Sequence, residues 1–196
     1  PTIDMLGVEP RRYGSYATKS YLKAKNEEAY ANVFTVHYPD EEREAGRPLR
    51  QAPCYDRLKK LGAVFGAKFG WERANFFAKE GEKPEDDWSF RRSKWFKNVE
   101  QECKNVKENV GLLDMSAFGK CRIKGPGAEE FLDKLVANKL PKKIGRINLC
   151  HALNTKGGVH SEFTIMREAE DSFYLVSAGA YQRLDHDWIH KWMPKD

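Results

Sequence analysis

The stretch that decides the fold reads Asn154-Thr-Lys-Gly-Gly-Val-His-Ser-Glu-Phe-Thr-Ile-Met166. Its consecutive glycines, Gly157 and Gly158, allow positive φ and a close approach of the backbone, which predicts a hairpin turn or a floor beneath a ligand. A strand follows, because successive strand residues point to opposite faces. One face carries Val159, Ser161, Phe163 and Ile165. The other carries a carboxylate, Glu162, beside the side chains of His160, Thr164 and Met166. A half-solvated strand of an antiparallel sheet gives the same alternation, so the pattern alone leaves both interpretations open.

The composition is that of a globular protein with little net charge. The chain has 196 residues, of which 40% are hydrophobic and 12% aromatic, enough to bury a core. Its 34 Lys and Arg are interspersed with 29 Asp and Glu, and no basic run resembles a nucleic-acid-binding stripe. No apolar run approaches the roughly 20 residues of a membrane span, and no signal peptide is present. We therefore expect a cytoplasmic protein, or one of the mitochondrial matrix in a eukaryote, that binds neither nucleic acid nor membranes.

The cysteines and histidines give no sign of a disulfide framework or a metal centre. The four cysteines are far apart and form no Cys-x-x-Cys pair, which favours buried, reduced thiols: Cys54, Cys103, Cys121 and Cys150. His37 and His160 have no paired ligands at metal spacing, so no metal site is predicted.

The first half of the chain is polar and irregular. A helix is predicted over residues 20–30, and alternating β-branched and aromatic side chains predict a strand over residues 31–38. Residues 40–53 form a charged connector with prolines. A helix-like segment over residues 55–61 then leads into an aromatic, glycine-rich stretch that we expect to serve in packing.

The second half is regular and predicts an α+β fold with an antiparallel sheet and flanking helices. A long amphipathic helix is predicted from the stripe Phe96, Val99, Cys103, Val106 and Val110. Strands are predicted over residues 120–124, 147–153, 162–167 and 172–176, with one helix after Gly125-Pro-Gly127 and a closing helix from Ala180. No Gly-x-Gly-x-x-Gly or Walker loop is present.

Motifs between residues 96 and 188 resemble the first part of the folate-binding aminomethyltransferase domain, the family of the glycine cleavage T-protein. They include Val110-Gly-Leu-Leu-Asp-Met-Ser116, Gly125-Pro-Gly-Ala-Glu-Glu-Phe-Leu132 and Leu153-Asn-Thr-Lys-Gly-Gly-Val-His-Ser-Glu162. Earlier motifs resemble the junction of dimethylglycine and sarcosine dehydrogenases, where an FAD-dependent domain leads into the folate domain. These are Gly7-Val-Glu-Pro-Arg-Arg-Tyr13, Ala45-Gly-Arg-Pro-Leu-Arg50, Tyr55-Asp-Arg-Leu58 and Phe69-Gly-Trp-Glu-Arg73. The resemblance places the tail of the flavin domain and its linker in residues 1–53, and a truncated folate domain in residues 54–196.

The resemblance implies a chemistry and a set of site residues. In this family a flavin domain oxidises an N-methyl amine, and tetrahydrofolate captures the released carbon as 5,10-methylenetetrahydrofolate. Relatives carry a catalytic Asp after the glycine turn, and here that position is Glu162; its longer side chain puts the role in doubt without abolishing it. The cofactor-binding positions are Asp114, Met115, Gly157, Gly158 and Tyr174, although Asp114 could simply cap a turn beside a core Met115, and Tyr174 could fill the sheet. The resemblance implies tetrahydrofolate as the ligand here and FAD at a site outside this chain.

Three functions remain open at this point. The first is the folate-dependent region of a flavin-linked dehydrogenase that demethylates dimethylglycine or sarcosine. The second is a non-catalytic regulatory relative, like the regulatory subunit of pyruvate dehydrogenase phosphatase. The third is a folate-dependent demethylase acting on another methyl donor. Because the chain opens at Pro1 and ends in mid-pattern, we expect a piece of a longer polypeptide, inactive alone, whose partners are folate, an N-methyl amine, and the rest of its own polypeptide or a second copy.

Overall fold

The computed structural model describes Met5 and residues 8–195, which fall into two compact units. One unit is formed by residues 15–117, and the other by residues 118–195 with the described residues before 15. Gly7, which opens the first junction motif, lies outside the described residues, as do residues 1–4, 6 and 196. The predicted domain boundary between residues 53 and 54 stays a prediction. No helix of the described residues is long and apolar enough to cross a membrane.

The unit of residues 15–117 combines one β-hairpin with three helices. Its elements are α1 (Lys19–Ala31), α2 (Tyr55–Lys60), β1 (Ala63–Lys68), β2 (Trp71–Phe77) and α3 (Trp95–Glu108). The hydroxyl of Thr18 accepts the N–H of Tyr21 at 3.3 Å and so caps α1. The helices predicted over residues 20–30 and 55–61 are confirmed, while the antiparallel hairpin was not predicted.

The strand predicted over residues 31–38 is wrong. The segment continues from α1 into turns, in which Val33 N–H donates to Tyr30 O and Thr35 N–H donates to Asn32 O. These local bonds satisfy the backbone without a neighbouring strand. The side chains that suggested a strand face solvent, with Phe34 98% and Val36 80% exposed.

A buried ion pair joins the hairpin to the connector of residues 40–53. Glu72 of β2 is buried, and both of its oxygens accept hydrogen bonds from Arg47, at 3.0 Å to Nε and 2.7 Å to Nη2. The guanidinium also donates to the carbonyl of Phe65 at 2.8 Å. The bond to Glu72 raises the pKa of Arg47. A bidentate pair of this kind fixes the connector to the hairpin.

The predicted long helix is confirmed as α3, but its apolar stripe is only partly used. Asn98 is the buried residue of α3, and its side chain donates to the carbonyl of Phe77 at 2.9 Å. Towards its end the helix exposes Cys103 and Val106, and Val110, which lies beyond the helix, is exposed as well. The periodic pattern therefore predicted the helix, but it did not show that part of the apolar stripe would be exposed.

The unit of residues 118–195 is built on a four-stranded antiparallel sheet. Its strands lie in the order β3 (Gly119–Lys124), β6 (Ser172–Ser177), β5 (Val159–Ala169) and β4 (Ile147–Leu153). The helices are α4 (Ala128–Leu135) and α5 (Gln182–Trp192), the latter preceded by a short 3₁₀ turn. The predicted α+β class with an antiparallel sheet and flanking helices is confirmed, as are the four strands of this unit.

The core lies between the helices and one face of this sheet, which we call the inner face. Alternate strand residues on it are fully buried, among them Cys150, Phe163, Ile165, Phe173 and Leu175. Leu132 of α4 and Ile189 of α5 pack against them. Burying such side chains contributes about 1.5 to 3 kcal/mol each. The opposite face, here called the outer face, carries the other half of the alternation.

Two expectations about individual residues are corrected. His160 does not share the face of Glu162. The register of β4 and β5 shifts between Ala152 and Leu153, which leaves His160 as the extra residue of a bulge. Its ring stacks on Trp188, with the ring centroids 3.9 Å apart. The four cysteines are free, as predicted, but only Cys150 is buried; Cys103 is exposed.

Candidate functional site

The outer face brings polar and apolar side chains from all four strands into one surface. Cross-strand pairs place His151 opposite Glu162 and Leu149 opposite Thr164. Thr164 in turn pairs with Val176 on the neighbouring strand β6. The surface is open: Leu149 is 53% exposed, and the side chain of Glu162 is 58% exposed.

A chain of hydrogen bonds connects Asn138, His151 and Glu162. Nε2 of His151 lies 3.0 Å from Oε2 of Glu162. Nδ1 of the same ring lies 3.2 Å from Oδ1 of Asn138, which also accepts the backbone N–H of His151 at 2.7 Å. The loop after α4 supplies Asn138, because Val136 bridges to Ala152 and Ala137 N–H donates to the carbonyl of His151.

The two ring nitrogens of His151 face different partners. Oδ1 of Asn138 accepts the backbone N–H of His151 and is therefore the carbonyl oxygen, so Nδ1 can donate to it. Nε2 faces the carboxylate of Glu162, to which it donates when it carries a proton. The pair thus places a proton-accepting carboxylate beside a ring that can share a proton with it.

The glycine turn forms the β4–β5 hairpin connection. Gly157 has φ of +79°, a conformation that favours glycine, and no atom lies within 4 Å of where its Cβ would be. Oδ1 of Asn154 accepts the N–H groups of Lys156 at 2.9 Å and Gly158 at 3.0 Å. Of the two interpretations, the structure supports the hairpin turn, and a role for these glycines beneath a ligand stays a prediction.

Tyr174 lies on the outer face rather than in the core. It is half-buried, pairs across the sheet with Met166, and has the guanidinium of Arg122 5.2 Å from its ring centroid. Met166 lies four residues along β5 from Glu162, which is about 13 Å. Tyr174 and Glu162 therefore share a surface without contacting each other.

Asp114 and Met115 belong to the unit of residues 15–117, whereas Glu162 belongs to the unit of residues 118–195. Oδ1 of Asp114 accepts the N–H of Ser116 at 2.9 Å, as expected for a turn-forming Asp. Burial raises the pKa of the Cys54 thiol, and a hydrogen bond to Asp114 raises it further. Met115 is 52% exposed and is not a core residue.

A hollow in the unit of residues 118–195 lies away from the outer face. A cavity of about 630 Å³ on the helical side is lined by Phe131, Trp188 and Trp192, and by none of the predicted site residues. Among the described residues, no group of three His, Cys, Asp or Glu side chains could hold a metal ion. Sequence analysis missed His151 and Asn138; pairing the predicted strands across the glycine turn would have placed His151 beside Glu162.

Comparison with known proteins gives consistent matches over nearly the whole chain. The family model of the GCVT N-terminal domain matches residues 54–196, and that of the FAD dependent oxidoreductase central domain matches residues 1–52. The chain is 38% identical over 192 residues to the mitochondrial dimethylglycine dehydrogenase of Homo sapiens, covering 97% of this chain and 22% of that protein. It is 32% identical over 202 residues to the mitochondrial pyruvate dehydrogenase phosphatase regulatory subunit of Mus musculus, covering 100% of this chain and 23% of that protein.

A solved structure matches as well. It is the crystal structure of glycine cleavage system aminomethyltransferase T from Bartonella henselae, with a TM-score of 0.59 and 25% identity, covering 73% of this chain and 35% of that one. The chain thus spans between a fifth and a quarter of the length of the two curated relatives it matches.

Proposed function

Because the chain belongs to the family of the GCVT N-terminal domain, we propose that it forms the folate-facing region of a flavin-linked dehydrogenase. The enzyme would demethylate dimethylglycine or sarcosine and yield 5,10-methylenetetrahydrofolate. In this proposal residues 1–53 end the flavin domain and residues 54–196 begin the folate domain. The mitochondrial names of relatives favour the mitochondrial matrix if the source is eukaryotic.

The observation that carries the proposal is the His151–Glu162 pair, which lies on an open sheet face next to the glycine turn. In this proposal the residues around the pair would contact a reduced pterin. Leu149 and Val176 offer apolar contact to a flat ring, while Glu162 and Thr164 offer hydrogen bonds to its edge. Tetrahydrofolate would supply the nucleophilic nitrogens, and this chain would supply orientation and proton transfer.

The proposed role of Glu162 is that of a general base. Glu162 would accept the proton that a nitrogen of bound tetrahydrofolate gives up when it takes on the one-carbon unit. His151 would hold the carboxylate through Nε2, while Asn138 holds the ring in place through Nδ1. Gly157 and Asn154 fix the start of β5 and thereby the position of Glu162.

The test is Glu162→Gln in the full-length protein that contains this chain. We expect methylenetetrahydrofolate formation to slow by about 10²- to 10⁴-fold, the usual contribution of a general acid or base, with flavin reduction by the amine nearly unchanged. Glu168→Gln is the matched control, since Glu168 lies on the same strand but pairs with Arg122. Equal loss of both half-reactions in Glu162→Gln would indicate a structural role and contradict the proposal.

A second candidate is a regulatory, non-catalytic protein of the same architecture. Two observations favour it: the similarity to a phosphatase regulatory subunit, and Glu162 in place of the Asp that the T-protein family carries. The two candidates differ in the flavin half-reaction. Reduction of the flavin by dimethylglycine or sarcosine supports the dehydrogenase, and a flavin that neither amine reduces supports the regulator.

A further inference from the structure

One side of α5 carries two exposed histidines and, just beyond its end, a methionine. His186, His190 and Met193 follow one another at intervals of four and three residues, which places them on the same face. All three line a cavity of about 230 Å³ beside β3 and β6. The side chain of His186 is 58% exposed, His190 is exposed and Met193 is 38% exposed, so a small solute can reach them. The proposed folate chemistry uses none of the three.

The two imidazole rings are close enough to share one metal ion. Their centroids lie 4.1 Å apart, and the ring planes make an angle of 43°. Two imidazoles that bind one metal through bonds of about 2.0 Å have their centroids about 4 to 5.5 Å apart. Nδ1 of His186 lies 3.6 Å from Oδ1 of Asp187, which leaves Nε2 for a metal. A carboxylate beside the second ring nitrogen is common around metal-binding histidines.

The third ligand on this face is a thioether. Among the described residues no three His, Cys, Asp or Glu side chains form a metal-binding group, which argues against zinc, whose structural sites have four ligands of these types. Asp185 also lines the cavity, but both of its carboxyl oxygens are buried and do not face a ligand there. Met193 follows His190 by three residues and offers its sulfur instead.

Two imidazoles and one thioether select copper(I). Imidazole suits several transition metals, including copper and zinc, whereas a thioether is a soft ligand that suits copper(I). Copper is therefore the metal that both kinds of ligand favour. Copper(I) is also satisfied by two or three ligands, while a closed zinc site needs four.

The charges around this face suit a monovalent ion better than a divalent one. Lys120 and Arg122 line the same cavity and repel a cation, although Arg122 is held in a bidentate pair with Glu168. Coulomb repulsion is proportional to the charge of the ion, so it is half as large for copper(I) as for a divalent ion. The negative end of the α5 dipole lies near His190 and Met193 and favours a cation there.

We propose that His186, His190 and Met193 bind a single copper(I) ion at the C-terminal end of α5. The site lies on the helical side of the sheet, whereas Glu162 lies on the outer face. The proposal therefore does not depend on the folate chemistry.

The test is an anaerobic titration of the full chain with copper(I) in competition with the chromophoric chelator bicinchoninate. All proteins in the titration carry Cys103→Ser, because Cys103 is an exposed thiol that would bind copper(I) itself. We expect one equivalent to bind saturably, and Zn²⁺ to bind at least tenfold more weakly. No saturable binding of copper(I), or equally tight binding of Zn²⁺, would overturn the proposal.

Three variants locate the ion. His190→Gln and Met193→Leu each remove one exposed ligand with little change in shape, so both should fold and lose at least tenfold in affinity for copper(I). His37→Gln is the matched control, because His37 is an exposed histidine of the unit of residues 15–117. Unchanged affinity in His190→Gln or Met193→Leu would refute the assignment, as would an equal loss in His37→Gln.

Imidazole ¹H–¹⁵N correlation spectra give a second readout, because copper(I) is diamagnetic. We expect the resonances of His186 and His190 to shift when the ion is added, while those of His37 and His151 stay in place. Shifts confined to other histidines would contradict the proposed site.

Discussion

Proton placement between His151 and Glu162 can be observed directly, without folate or turnover. The contact of 3.2 Å to Oδ1 of Asn138 favours the tautomer of His151 that carries its proton on Nδ1, because only this form donates to the amide oxygen. In Glu162→Gln the amide can donate to Nε2, so we expect a neutral ring with the proton on Nδ1 alone. Long-range ¹H–¹⁵N correlation spectra of the imidazole report these states. A neutral ring protonated on Nε2 in the unmodified chain would contradict the proposed orientation by Asn138.

Asp185 gives a pH dependence of stability whose sign is opposite to that of a paired carboxylate. Burial raises the pKa of the Asp185 carboxyl group in the folded state above its ordinary value of 3.8. The native state therefore binds the proton more tightly than the unfolded state, and the stability falls as the pH rises above 3.8. Asp185→Asn lacks this loss. We expect the variant to be about 1 to 3 kcal/mol more stable than the parent at pH 7, and equally stable below pH 3.8.

Urea unfolding of the parent and Asp185→Asn at several pH values measures this difference. Asp187→Asn provides the control, because Asp187 lies on the same helix but pairs with Arg183 near the surface, and its loss should change the stability by less than about 1 kcal/mol. A destabilised Asp185→Asn at pH 7 would mean that the carboxylate has a stabilising partner.

At the scale of elements, the β4–β5 turn depends on one backbone conformation. Gly157→Ala introduces no clash, since no atom lies near its Cβ position, but forces φ of +79° on an L-residue. We expect a loss of about 1 to 2 kcal/mol in the free energy of unfolding, measured by urea titration. Gly157→Asn is the control and should cost less, because Asn tolerates the left-handed region. Equal costs would show that contacts, rather than φ, decide the position.

The elements that sequence reasoning predicted are those whose pattern is local. Residues 172–177 alternate between buried and half-buried, because one side of the strand packs under the helices. Residues 147–153 follow this pattern only around the buried Cys150 and Ala152, and their apolar Ile147 and Leu149 are exposed. Residues 31–38 alternate as well, yet they form turns, since alternation does not reveal whether a partner strand exists. The bulge at His160 is equally invisible to a period-2 pattern, because one extra residue reverses the facing of a single side chain.

The candidate site was predictable only in part for the same reason. A motif predicted Glu162 as a site residue, and the alternation of side chains along the strand predicted the sheet face on which it lies. Asn138 is recruited by a single β-bridge from Val136 to Ala152, a non-local contact that no short motif encodes. The burial of Asp185 likewise depends on how α5 packs on the sheet, so the amphipathic pattern of the helix did not predict it.

At the scale of the whole molecule, the unit of residues 15–117 exposes a run of apolar side chains after α3. Val110, Leu112 and Leu113 are at least two-thirds exposed, and Met115 is about half exposed. A surface of this kind usually marks an interaction site or promotes aggregation. We expect the isolated chain to self-associate through it, and in a longer protein we expect the rest of the polypeptide to cover it.

The double change Leu112→Ser and Leu113→Ser tests this expectation. Because both side chains are exposed, the free energy of unfolding should change by less than about 0.5 kcal/mol, while the self-association seen by sedimentation velocity decreases. Leu132→Ser is the contrasting control, since Leu132 is fully buried and its change should unfold the chain. If the parent sediments as a monomer at all concentrations, the surface does not drive association, and its cover must be sought in a different partner.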